Sequence, residues 1–90
     1  MPTNENLTVH LKVKDYNAWR AGYDGREQSR RSAGITNGRV FRCAEDPNDV
    51  VILHDVADVA KARTWLSSDE TKTAREKGGV VGSPNIRFAA

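Results

Sequence analysis

Apolar residues occupy every second position of residues 7–13, and polar residues fill the positions between them. This period of two predicts a β-strand with one buried face. The pattern changes after Asp15, where Tyr16, Trp19 and Tyr23 follow one another three and then four residues apart. That spacing predicts a helix, capped by the Asp15 carboxylate, with three aromatic side chains on one face.

This first helix is predicted to end at Ala33-Gly34, since glycine tolerates the left-handed conformation that often follows a helix. Two further strands are predicted after it, at residues 37–44 and 50–56. A short turn around Pro47 joins them. So short a connection predicts an antiparallel hairpin.

The last third of the chain is predicted to hold two short helices and a fourth strand. Asp58 can cap the first of these helices. The S-x-x-E spacing of residues 67–70 is that of a capping box, which predicts a helix break and a new start at Ser68. The second helix ends at the glycine pair that follows, and the strand lies within residues 80–89, centred on residues 86–88.

The predicted order, β-α-β-β-α-α-β, is that of a ferredoxin-like α+β fold, a four-stranded antiparallel sheet with helices on one face. We expect a single domain over residues 1–90, with residues 1–6 as a flexible lead-in. Residues 50–53 are all apolar, so side chains on both faces of the sheet are expected to be buried. A second copy of the sheet would cover the outer face, which predicts a homodimeric α+β barrel.

Composition excludes several classes of protein. The formal net charge of +2 over 90 residues is too small for a nucleic-acid footprint. No apolar run approaches the roughly 20 residues of a membrane span. The single cysteine, Cys43, allows no disulfide within the chain, so a cytoplasmic protein is predicted.

Two histidines are candidate functional residues. His10 lies in the middle of the first strand, where a neutral imidazole can act as a catalytic general base; the alternative is a structural histidine at a hydrogen bond or a dimer contact. His54, late in the third strand, is a candidate for substrate binding. A metal site is not predicted, because His54 and Asp55 are adjacent on a strand and point to opposite faces.

The stripe of Tyr16, Trp19 and Tyr23, joined by Trp65 from the second helical region, is a candidate substrate-binding wall for a small aromatic ligand. The alternative is an ordinary hydrophobic core. If His10 shares the helix-facing side of the sheet with this stripe, it is a base beneath an aromatic lid. If it faces the other way, it belongs to the dimer face.

Four stretches carry a resemblance to a known superfamily, and they cover most of the chain: VKDYNAWRAGYD, AGITNGRVFRCAEDPNDVVILHDVAD, AKARTWLSSDETK and GGVVGSPNIRF. With them the chain resembles the dimeric α+β-barrel proteins that include the antibiotic-biosynthesis monooxygenase domains, in particular short bacterial members. The resemblance implies a homodimer through facing sheets and a ligand cavity between the helices and the sheet of each protomer.

The activity implied by this resemblance is that of a cofactor-independent monooxygenase acting on a small aromatic or polyketide-like substrate, with no cofactor and with His10 as the base. Two alternatives stay open. One is a polyketide cyclase or isomerase that uses the same pocket, and the other is a non-catalytic small-molecule-binding protein. Whether the protein is an enzyme is therefore left open by the sequence.

Overall fold

The computed structural model describes residues 5–89. Four strands form one antiparallel sheet in the order β2-β3-β1-β4: β1 (Glu5–Val13), β2 (Ile35–Arg42), β3 (Asp49–Val56) and β4 (Val80–Ala89). Four helices complete the described chain: α1 (Tyr16–Gly25), α2 (Glu27–Ser32), α3 (Val59–Leu66) and α4 (Asp69–Lys77). The predicted ferredoxin-like α+β class is confirmed, with β1 and β3 paired at the centre of the sheet.

The first strand begins two residues earlier than the sequence pattern predicts. Glu5 and Asn6 pair with Val56 and Asp55 of β3, so they belong to the sheet and not to a lead-in. The remainder of the predicted lead-in, residues 1–4, lies outside the described residues.

The helical region that was predicted to end at Ala33-Gly34 is divided into two helices. It is broken at Arg26, which separates α1 from α2 and has φ −106° and ψ 13°. Gly22 and Gly25 weaken the helix just before the break, since glycine is a poor helix former. At the break, the Tyr23 carbonyl accepts from the Arg26 backbone amide at 3.2 Å and from Arg30 Nη1 at 2.6 Å. The break therefore turns Arg30 towards the interior.

Helix caps follow the sequence more closely. The Asp15 carboxylate accepts from the backbone amides of Asn17 and Ala18 at the start of α1. Asp58 caps α3 as predicted. The predicted break before α4 is confirmed, but the cap is Ser68, one residue later than the Ser67 that the S-x-x-E spacing predicts. These side chains satisfy amide groups that have no partner within the helix.

The two faces of the sheet have different surroundings. One face is covered by the helices and holds the core, which includes Leu7, Val9, Leu11, Val50 and Ile52. The other face, here called the open face, carries His10, Phe41, Val51 and Leu53. None of the helices formed by residues 5–89 has the length and apolar character needed to cross a membrane.

Candidate functional site

A cavity of about 90 Å³, here called the inner cavity, lies between the helices and the covered face of the sheet. Aliphatic side chains of the sheet and of α3 form much of its wall: Leu7, Val9, Leu11, Ile35, Ile52 and Leu66. Trp19, Tyr23 and Trp65 add aromatic surface. The cavity lies where the resemblance placed a ligand site, although its volume is small.

One hydrogen bond stands out in this wall, between Tyr23 of α1 and His54 of β3. Tyr23 Oη lies 2.9 Å from His54 Nε2, and His54 Nδ1 lies 3.3 Å from the Thr36 carbonyl oxygen. A carbonyl can only accept, so Nδ1 carries the proton and Nε2 accepts from the tyrosine hydroxyl. The imidazole is therefore held as a neutral ring whose basic nitrogen points at a phenol.

Burial determines the protonation of both partners. His54 is only 5% exposed, and burial lowers the pKa of its imidazole below the ordinary value. Burial also raises the pKa of the Tyr23 phenol, although the positive charges of Arg30 and Arg20 oppose that rise. At neutral pH the pair is an uncharged base hydrogen-bonded to an uncharged acid, at a distance across which a proton can be transferred.

A β-bulge positions His54. The pairing of β2 with β3 shifts register between Thr36 and Arg39, and Asn37 in the bulge has a φ of 52°. Asn37 Nδ2 donates to an Asp55 carboxylate oxygen at 2.7 Å, which supports this unusual backbone. At Gly38 a Cβ atom would lie 2.5 Å from both His54 Cε1 and Tyr23 Oη. The absence of a side chain at Gly38 therefore leaves the space that the pair occupies.

A second, more polar hollow of about 520 Å³, here called the outer cleft, lies on the other side of the pair. Tyr23, Arg30, Ile35 and His54 line both the inner cavity and the outer cleft. The outer cleft adds charged and polar side chains that include Arg20, Asp24 and Glu27. The Tyr23–His54 pair thus forms the boundary between an apolar interior and a polar opening.

Three arginines also line the inner cavity: Arg26, Arg30 and Arg75. Arg30 is 9% exposed, and its guanidinium carbon lies 3.7 Å from the centre of the Tyr23 ring. Arg26 stacks over Trp65 at 4.8 Å and donates to Thr71 Oγ1 at 3.2 Å. Burial lowers the pKa of all three guanidinium groups.

The two histidines do not form one site, because their rings lie on opposite faces of the sheet. In the register of β1 with β3, Leu7 is opposite His54 and His10 is opposite Val51. His10 therefore lies on the open face, away from the aromatic stripe. Its Nε2 lies 2.5 Å from a carboxylate oxygen of Asp49. The structure does not bring His10 to the inner cavity.

The Asp49 carboxylate also lies near a thiol. His10, Cys43 and Asp49 each offer one ligand atom, and these atoms lie within 4.8 Å of one another. Burial, together with the charge of Asp49, raises the pKa of the Cys43 thiol, which disfavours the thiolate. This cluster is on the open face, so it is separate from the inner cavity.

The predicted aromatic wall is divided. Trp19, Tyr23 and Trp65 line the inner cavity, and Trp19 stacks on Tyr23 with ring centres 5.0 Å apart. Tyr16 belongs to neither the inner cavity nor the outer cleft. Instead, Arg42 stacks over its ring at 3.8 Å. Of the predicted substrate-binding residues, the structure thus assembles Trp19, Tyr23, His54 and Trp65 and leaves Tyr16 outside.

Sequence reasoning missed the arginines of the cavity and the close approach at Gly38. Arg26 and Arg30 lie in a charged stretch that is typical of an exposed helix face, and only the break between α1 and α2 turns them inward. The Asn-Gly pair at residues 37–38 was a usable signal, because these two residue types tolerate the backbone of a bulge.

Comparison with known proteins supports the fold. No protein-family model and no curated protein matches the chain. Among solved structures, a Bordetella bronchiseptica protein provisionally named an antibiotic biosynthesis monooxygenase superposes with a TM-score of 0.77 at 14% identity, over 98% of this chain and 97% of that one. A Nitrosomonas europaea protein with the same provisional name gives a TM-score of 0.73 at 15% identity, over 100% of this chain and 91% of that one.

A conserved protein from Methanosarcina mazei gives a TM-score of 0.72 at 13% identity, over 97% of this chain and 91% of that one. Similarity at such low sequence identity supports a shared fold but not a shared activity, because proteins of one fold have many different functions. The chain therefore has the α+β fold of structures provisionally named antibiotic biosynthesis monooxygenases, as the resemblance in its sequence implied.

Proposed function

We propose that the protein is a cofactor-independent monooxygenase that oxidises a small aromatic substrate, with His54 as the base and Tyr23 as the group that relays the proton. The observation that carries this proposal is the Tyr23–His54 hydrogen bond of 2.9 Å at the boundary of an apolar cavity. A neutral imidazole beside a buried phenol can accept a proton without any metal or cofactor.

The first step is removal of a proton from the substrate. A substrate hydroxyl at the boundary donates to Tyr23 Oη while the Tyr23 proton passes to His54 Nε2. This leaves a substrate phenolate, a neutral tyrosine and an imidazolium ion. The guanidinium of Arg30 lies over the Tyr23 ring. It stabilises the negative charge that develops on the Tyr23 oxygen while the two protons move.

The second step uses molecular oxygen as the co-reactant. The electron-rich anion of the substrate first gives one electron to O₂, because ground-state O₂ has two unpaired electrons. The resulting substrate radical and superoxide then combine, and a carbon–oxygen bond forms at a ring carbon that bears hydrogen. The peroxide takes the proton back from His54. Loss of water then leaves a carbonyl group, so one oxygen atom of O₂ ends in the product and the other in water.

His10 is not part of this mechanism, since its ring lies on the open face against Asp49. The predicted catalytic role of His10 is tested by the same oxygen-uptake experiment as that of His54. The predicted cyclase or isomerase activity uses the same proton transfer between substrate, Tyr23 and His54 but consumes no oxygen. The Tyr23–His54 pair favours this second candidate, because it can donate a proton to a substrate as well as accept one.

We also propose that two copies of the protein pair through their open faces. Phe41 on this face is 50% exposed, and Val51 and Leu53 of β3 are only partly buried in one copy. These apolar side chains lie on the open face among polar ones such as Thr8 and Lys12. Exposed apolar side chains on an uncovered sheet face are groups that folded proteins tend to bury.

The test is oxygen uptake with a panel of anthrone-like phenols. We expect the wild-type protein to consume one O₂ per quinone formed, and the His54→Gln variant to lose about a hundredfold or more in kcat. The matched control is His10→Ala, which should retain activity. Loss of turnover in His10→Ala but not in His54→Gln would restore His10 as the base. Product formation without oxygen uptake would favour the cyclase, and binding without turnover would favour a non-catalytic protein.

A further inference from the structure

The inner cavity contains more positive charge than its surroundings neutralise. Arg26, Arg30 and Arg75 all line it, and the charge of Arg26 acts on both of the others. Among residues 5–89, Arg26 is the one member with a carboxylate at ion-pair distance, the exposed Glu70 at 3.9 Å. Neither Arg30 nor Arg75 has such a partner in this part of the chain.

Such an arrangement is costly in an empty protein. A charged group taken out of water needs an opposite charge or good hydrogen bonds, and Arg30 has been taken almost fully out of water. Its contacts are a carbonyl oxygen at 2.6 Å and the face of the Tyr23 ring. Asp24 and Glu27 influence its charge only from beyond ion-pair distance. A bound anion would supply the missing opposite charge.

Another hollow lies beside the inner cavity and shares part of its wall. A groove of about 340 Å³, here called the helix groove, runs between α1 and α4. It shares Trp19, Tyr23, Arg26 and Arg75 with the inner cavity. Small residues keep it open, and a Cβ atom at Gly22 or Gly25 would meet nothing within 4 Å.

We propose that this site binds a small aromatic acid, whose carboxylate lies between Arg26, Arg30 and Arg75 and whose ring lies in the helix groove against Trp19. The sizes agree with this division, since the inner cavity is smaller than the ~150 Å³ that holds benzene, while the helix groove is larger. Guanidinium groups bind a carboxylate in pairs of hydrogen bonds. The apolar wall favours an anion with an apolar body over a strongly hydrated one.

This inference deepens the proposed function by naming the substrate class, a ring that bears both a carboxylate and a phenol. The role of this ring as a substrate rests on the proposed function, whereas its binding at the arginines does not. Tyr23 lines the helix groove as well as the inner cavity, so the proposed ring site and the Tyr23–His54 pair share one residue.

Calorimetric titration with benzoate, benzamide and inorganic phosphate tests the inference on the intact protein. We expect benzoate to bind at least about tenfold more tightly than benzamide, which has the same shape without the charge. Benzoate should also change the fluorescence of the protein, because both of its tryptophans, Trp19 and Trp65, line the inner cavity.

Arg75→Gln should weaken benzoate binding about tenfold by removing one charged donor. The matched control is Arg63→Gln on the exposed side of α3, which should bind benzoate as the wild type does. If Arg75→Gln does not fold, the benzoate and benzamide comparison on the wild-type protein decides.

Equal binding of benzoate and benzamide would overturn the inference, and so would an unchanged affinity in a folded Arg75→Gln variant. Tighter binding of phosphate than of benzoate would overturn the choice of an aromatic acid. These results are independent of oxygen uptake: benzoate binding without any oxygenase activity would leave the anion site standing and defeat the monooxygenase.

Discussion

Tyr23 Oη lies 2.9 Å from His54 Nε2, although 31 positions separate the two residues and one is on a helix and the other on a strand. The contact depends on three features of the chain. α1 packs its aromatic face on the sheet, β3 points His54 towards that helix, and the bulge of β2 places Gly38 beside both side chains. The pair is therefore set by backbone geometry as much as by its own chemistry.

Gly38→Ala should separate the pair. The new Cβ would lie 2.5 Å from both His54 Cε1 and Tyr23 Oη, so β2 must shift or the hydrogen bond must open. We expect a loss of about 1–3 kcal/mol in the free energy of unfolding, the usual cost of overpacking, measured by urea denaturation.

Gly22→Ala is the matched control for this substitution. It adds the same methyl group where nothing lies within 4 Å, and it should stabilise α1 by roughly 0.5–1 kcal/mol. If Gly38→Ala is as stable as the wild type and keeps the hydrogen bond in the NMR spectrum of His54, the close approach at Gly38 has no role in holding the pair.

The stability of the protein should depend on pH through His54. Burial lowers the pKa of His54 in the folded state below the ordinary value of 6.5. The unfolded chain therefore binds more protons as the pH falls below about 6.5, and the free energy of unfolding decreases until the folded-state pKa is passed. Asp46, whose carboxyl pKa is lowered by the backbone amide of Asn48, adds a separate loss at more acidic pH.

Urea midpoints measured between pH 8 and pH 5 test this prediction. His54→Gln should flatten the pH dependence in this window. An unchanged slope in His54→Gln would show that the acid sensitivity comes from another group.

The sequence predicts which residues of β1 share a face, but not which of the two faces meets the helices. Alternation separates His10 from Leu7, Val9 and Leu11, and the structure keeps that separation. Which set meets the helices is decided by where α1 and α3 pack, and no residue within β1 encodes that. For this reason the two predicted histidine sites become one site on the covered face and one hydrogen-bonded histidine on the open face.

Helix caps and strand positions are local properties, so they could be predicted from short stretches such as Asp15 to Tyr23. The arginines of the inner cavity could not. Arg26 and Arg30 reach the cavity because the helix breaks at Arg26, where the Tyr23 carbonyl accepts from two donors, and Arg75 reaches it from α4. A charged stretch in a sequence is usually solvated, and the exception appears only when the packing around it is known.

Removal of the cap at the start of α1 should destabilise the wall of the inner cavity. The Asp15 carboxylate accepts from the amides of Asn17 and Ala18 at 3.0 and 3.4 Å. Asp15→Ala should lower the free energy of unfolding by about 1 kcal/mol, as loss of a cap commonly does. Asp24→Ala is the control, since its exposed ion pair with Arg20 should contribute less than ~1 kcal/mol. Equal effects of the two substitutions in urea denaturation would argue against a capping role.

Sedimentation velocity tests the pairing of open faces. At micromolar concentration we expect a species of about twice the 10.0 kDa of one chain. Phe41→Asp should shift it to the monomer, because a carboxylate in place of a buried phenyl ring would lose its hydration without gaining a partner.

Lys72→Asp on the exposed surface of α4 is the control for this charge change and should remain dimeric. A folded wild-type monomer at these concentrations would contradict the proposed dimer.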